Sequence, residues 1–166
     1  MFQEEERFGV AHALEKPAME FLPDEGTVEN WKPLLMELRG GDFPDYLSSN
    51  LGCRMCSERL RKILQEHRSP LDLLQWLDVV VKDKREDRNY FILHFPQPPD
   101  VLNKEKTIFA GHFVVKAVLS VHRVDDHRVF AYPHCGELPL FISEQVKQAI
   151  EQKQCTGMEI TIASIA

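Results

Sequence analysis

The chain has 166 residues, 43% of them hydrophobic and 28% charged, with a formal net charge of −6, the proportions of an ordinary globular protein. No stretch approaches the ~20 continuous apolar residues of a membrane span, and "MFQEEERFGV" carries acids where a signal peptide carries bases, so a cytoplasmic protein without a membrane partner is expected. Residues 1–50 hold 11 acids and 4 bases, whereas residues 51–166 hold 15 acids and 16 bases. That balance argues against nucleic acid, which demands a basic footprint, and suits a basic protein partner drawn in by charge.

In chain order, residues 1–30 read as irregular, with Pro17, Pro23 and Gly26 as punctuation. "WKPLLMEL" (Trp31 to Leu38) is short and apolar and is broken by "RGGDFP". A helix is expected somewhere in Ser48 to His67, because Cys53, Cys56, Leu60, Ile63, Leu64 and His67 fall on one side of a helical period; Ser57 is also a credible N-cap, in which case the helix starts later. "WLDVVVK" and "YFILHF", separated by "DKREDRN", predict an antiparallel hairpin. "FVVKAVLSVHRV" (Phe113 to Val124) predicts a long strand that turns at Asp125 to His127 and pairs back with "RVFAY". Ser143 caps a second helix with a Val146, Ala149, Ile150 stripe, and "MEITIASI" alternates as a terminal strand with Met158, Ile160 and Ile162 on one face.

The chemistry-bearing residues are sparse. Cys53 and Cys56 form a single CxxC, with His134, Cys135, Cys155 and His67 as the only further candidates to complete four ligands for zinc. A redox pair would need the first cysteine at a helix N-terminus after a strand, and the elements before "LGCRMC" do not read as one. Buried core thiols are the favoured reading, with a metal- or thiol-dependent protein as the alternative. His94 and His122 lie in strand patterns, while His112 and His127 lie beside turns. There is no Gly-rich phosphate loop, GxSxG or HExxH. No catalytic, cofactor or metal residue is assigned.

The helix of "SERLRKIL", then "NYFILHFPQPPDVLNKEKT", "VVKAVLSVHRVDDHRVFAYP" and "LFISEQVKQAIEQKQCTGMEITIAS" follow an order that resembles the Imm11 family, predicted immunity proteins of bacterial polymorphic toxin systems. The family pattern has a Ser-led helix, a tyrosine-rich strand, "vd.ld.e.s", "vld..k..g..iFr" and a closing "ifvsee.k.al....tG..f". Tyr90, Asp100, Leu102, Glu105, Phe130, Ile142, Ser143, Lys147, Thr156 and Gly157 match it in order, over roughly residues 31–164. Relatives with two CxxCG motifs are not matched there, because Ser57 follows the single CxxC.

The expected fold is α+β: an antiparallel or mixed sheet from residues 76–132 and 158–164, two amphipathic helices packed on it, and residues 31–166 as the domain behind an irregular 1–30 segment. The resemblance implies a protein that binds and neutralises a cognate toxin by occlusion, with no catalysis of its own. The acidic leading region supplies the candidate partner-binding residues Asp24, Glu25, Glu29, Glu37, Asp42 and Asp45, with Glu4 to Glu6 as a disordered start.

Overall fold

A computed structural model describes residues 7–15, 22–133 and 138–166. The α+β expectation holds. Six strands form one mixed sheet in the order β1-β2-β5-β6-β4-β3: β1 Val10–Ala13, β2 Leu34–Arg39, β3 Tyr46–Leu47, β4 Met55–Ser57, β5 Gln75–Lys82 and β6 Asp87–His94. The β5–β6 hairpin forms as expected but with a shorter turn, since Asp87, Arg88 and Asn89 belong to β6, with Gln75 opposite His94 and Lys82 opposite Asp87. Asp83 to Glu86 make the turn, closed by the Asp83 N–H donating to the Glu86 carbonyl at 2.9 Å.

The sheet curls until its edges meet. The residues just past β3 reach β1: the Ala11 N–H donates to Ser48 O at 2.9 Å and the Asn50 N–H donates to Ala11 O at 3.0 Å. Closure satisfies backbone groups that an open edge would expose. Ala11, Met36, Leu38, Leu47, Met55, Leu77, Val79, Val81, Tyr90 and Ile92 fill the interior. The alternation along β5, with Leu77, Val79 and Val81 buried and Asp78 and Lys82 exposed, is the period of two that puts every second side chain inside.

Two capped helices cover the outer face. α1, Glu58–His67, begins at Ser57, whose hydroxyl accepts from the Leu60 N–H, and buries Leu60, Ile63 and Leu64. α3, Glu144–Gln152, begins at Ser143 in the same way and buries Val146 and Ile150, with Ala149 half-buried. They pack on each other and on Cys56, Leu93, Phe95, Val129 and Ala131. The Ser-led stripes therefore mark real helices.

Several expectations are corrected. The helix does not extend back to Ser48: Cys53 lies in a loop and Cys56 in β4, so the cysteine part of the stripe coincided with a helical period by chance. Residues 1–30 are not irregular throughout, since Val10–Ala13 is a sheet strand that pairs with Leu34–Arg39. The single strand over Phe113 to Val124 breaks into three pieces. β8, Phe113–Lys116, pairs with β7, Ile108–Ala110; Leu119 makes isolated bridges to Leu102 and Ile165; and α2, Val121–Val124, takes His122 out of any strand. β9, Val129–Phe130, pairs instead with β10, Phe141–Ile142. The terminal "MEITIASI" stays outside the ladders except at Ile165, and Ile162 is fully exposed. Alternation identifies extended chain, but it does not select a partner strand.

Leu64 is fully buried between the helices and the sheet. Leu64→Ala is expected to lower unfolding free energy by about 2–5 kcal/mol in urea titrations followed by circular dichroism, whereas Leu64→Asp is expected to leave the domain unfolded. A folded Leu64→Asp protein would contradict this packing.

Candidate partner-binding surface

The CxxC does not assemble a site. Cys53 packs in the barrel interior, and Cys56 in the cluster under the helices, so the two thiols belong to separate cores. The Cys53 Sγ lies 3.4 Å from Ser49 Oγ. Burial pushes both thiols up, that of Cys56 well beyond the ordinary range, which disfavours the thiolate that metal binding and redox exchange require. Among the described residues no three His, Cys, Asp or Glu side chains gather as metal ligands; His134 and Cys135 lie outside them. Two histidines are held as structural groups: His94 Nε2 is 2.7 Å from Gly26 O and His127 Nδ1 is 2.7 Å from Asp72 Oδ1.

The six candidate acids are dispersed. Asp24, Glu25 and Glu29 are exposed on the segment that straps one end of the barrel, where Gln75 exchanges two hydrogen bonds with the Val28 backbone and the Gly26 N–H donates to Pro96 O. Glu37 lies on the outer face of β2, paired with Arg39 at 3.2 Å and beside Lys82 in register. Asp42 is exposed past the end of β2, at the opposite rim.

Asp45 is a different kind of residue. Its side chain is 8% exposed. It accepts from Ser57 Oγ at 2.6 Å, from Arg59 Nη2 at 2.6 Å and from the Thr156 N–H at 2.9 Å. Burial by itself would raise its pKa, but the hydrogen bonds from Arg59, Ser57 and Thr156, with the Arg59 charge, outweigh it and hold the carboxyl below its ordinary value. Asp45 ties β3, the start of α1 and the turn after α3 together.

A surface that the linear pattern hid stands opposite in character. β7 and β8 form a hairpin with a two-residue turn, Gly111 and His112, in which Gly111 takes φ +62; a positive φ at the first turn position suits glycine and matches the twist of the flanking strands. Its base is clamped: Thr107 Oγ1 donates to Val118 O and accepts from the Val118 N–H, both at 3.1 Å. Beyond the clamp, Ile108, Phe109, Phe113 and Val115 are 45–64% exposed. Phe109 and Val114 are cross-strand partners and share the face over a cleft with Leu102 and Pro133. Ala110 and Phe113 share the other face, which is exposed among the described residues. The signal in the sequence was Gly111 between two apolar triplets, "TIFAGHFVV".

Because the folded pKa of Asp45 is lowered, its contribution to stability is present above the ordinary carboxylate value near 3.8 and is lost as pH falls through the lower folded value. Asp45→Asn is expected to cost about 1–3 kcal/mol at pH 7, from donors left poorly matched. The gap from wild type should narrow as pH falls below about 4 and close only below the lowered value at which the folded Asp45 protonates. Chemical denaturation from pH 2 to 7 measures both; a gap that stays constant across that range would contradict the pairing. Cys53 and Cys56 are expected to resist a thiol reagent in the folded protein and to react on unfolding, and a fast reaction of both in native buffer would show them accessible.

A comparison with curated proteins finds no match. The model of one protein family, Immunity protein family (Imm11), matches residues 3–164, which extends the resemblance into the leading region where β1 lies. Nearly all of the fold described above falls within that match, and the chain belongs to the Imm11 immunity protein family.

Proposed function

We propose that this protein is the immunity partner of a bacterial polymorphic toxin: it binds its cognate protein toxin in the cytoplasm and blocks it by occlusion, without catalysis of its own. The family match over residues 3–164 carries this reading. Two surface properties support it. An exposed apolar hairpin is a feature expected of a protein interface, and the acids of the leading region can guide a basic partner. Of those acids Asp24, Glu25 and Glu29 act together, since they share one loop segment, while Glu37 and Asp42 act from the side and the far rim. The alternative, an activity organised by Cys53 and Cys56, is not favoured by thiols held in separate cores.

The test uses the toxin domain encoded beside the gene, with its catalytic residue inactivated for binding and intact for activity. Calorimetry is expected to give a one-to-one complex, and an equimolar amount of this protein is expected to abolish toxin activity. Full toxin activity in the presence of excess protein would overturn the proposal. Replacing Asp24, Glu25 and Glu29 by their amides is expected to slow association at low salt and to converge with wild type at high salt, as exposed charges are screened. A rate unchanged at both salts would remove these acids from the encounter.

A further inference from the structure

The β7–β8 hairpin packs Val114 against the cluster around Leu102 and leaves most of its other apolar residues exposed. Natural sheets blunt exposed edges with charges, proline or short length, and a two-stranded hairpin by itself is marginal in water. This one is anchored at Thr107 and Val118 and by the Leu102–Leu119 bridge, then presents four large apolar side chains between Ile108 and Val115. Elsewhere among the described residues the exposed large apolar side chains are spread more thinly, as at Leu35, Leu71 or Leu138. Two of the four are aromatic, the residue type that concentrates binding energy when it fills a partner's pocket.

The charges around the hairpin differ in sign from those of the chain. Residues 104–116 hold Lys104, Lys106 and Lys116 against Glu105 alone, a balance of +2 on a protein of −6. Lys104 and Arg123 both hold Asp100, at 3.3 and 2.9 Å, which removes that acid from the surroundings. Lys116 stands opposite Ile108 at the base of the exposed section. An apolar projection flanked by lysines complements a cleft that is apolar at its floor and acidic at its rim.

We propose that the Ile108–Lys116 hairpin is the element by which this protein grips its toxin, inserting Phe113 and Val115 into an apolar, acid-rimmed cleft of that partner. The proposal rests on the immunity reading above. The probe is the inactivated toxin domain encoded beside the gene. Phe113→Asp with Val115→Asp is expected to weaken binding by about 100-fold or more while the melting temperature stays at the wild-type value, because both side chains are exposed. Leu71→Asp, an equally exposed apolar residue on another loop, is the control and should bind as wild type does. Lys106→Glu with Lys116→Glu should slow association at low salt, the difference fading at high salt; faster association would exclude an acidic rim. If wild type does not bind the toxin domain, the immunity reading fails and this inference with it. If wild type binds and the hairpin variant binds within about threefold of it, the inference alone is overturned. A wild-type dimer in sedimentation that the hairpin variant dissociates, with toxin binding unchanged, would assign the hairpin to a second copy of the chain and would equally overturn it.

Discussion

The buried carboxylate of Asp45 is the constraint on which the rest of this fold is arranged. It immediately precedes β3, opposite the end of β4, and draws donors from two remote stretches: Ser57 and Arg59 at the start of α1, and Thr156 beyond the end of α3. A desolvated carboxylate is tolerable only when its oxygens are satisfied, so these parts of the chain must arrive together. Ser57 serves twice, donating to Asp45 and accepting from the Leu60 N–H, which couples helix capping to the pairing of β3 with β4. The chain then crosses close to the sheet at Gly157, where φ is +87 and a Cβ would run into the Tyr46 carbonyl and the Pro44 ring, so this position needs glycine.

The far end of α1 is held on the same principle. Asp72 follows the helix and accepts from the N–H groups of Ser69, Arg128 and Val129, each at 2.9 Å, with His127 on its other oxygen. Two buried carboxylates therefore fix α1 at both ends, one toward the sheet edge and α3, the other toward β9. Burying the charges costs free energy, but the arrangement selects one register among many that the apolar stripes alone would permit.

This buried centre explains how an exposed apolar surface can be carried without cost to the core. The barrel interior and the helix layer bury their apolar residues fully, whereas the hairpin beyond Thr107 contributes mainly Val114 to the third cluster around Leu102, Leu119 and Phe130. Core packing and the exposed apolar surface are thus separated along the chain: sequence changes at the exposed residues from Ile108 to Lys116 alter that surface and leave the barrel's packing untouched. For a protein whose proposed task is to match one toxin among many, that separation lets specificity change without refolding the scaffold.

What the sequence determined by itself were the locally encoded features. Ser57 and Ser143 with their apolar stripes specified α1 and α3, the β-branched runs specified β5 and β6 as a hairpin though not its register, and the motif order specified the family, because each of these signals lies within a few residues of chain. Only the tertiary structure decided the rest. It put Cys53 and Cys56 in different cores, turned Asp45 from a surface acid into an internal tie, and paired Phe113–Lys116 with Ile108–Ala110 instead of with Val129–Phe130. Those outcomes depend on which distant segments meet. An alternating strand presents the same backbone groups to any partner, and a carboxylate's environment is set by donors 12 to 111 positions away in the sequence. Long-range pairing is chosen by the closure of the whole barrel, which no local pattern contains.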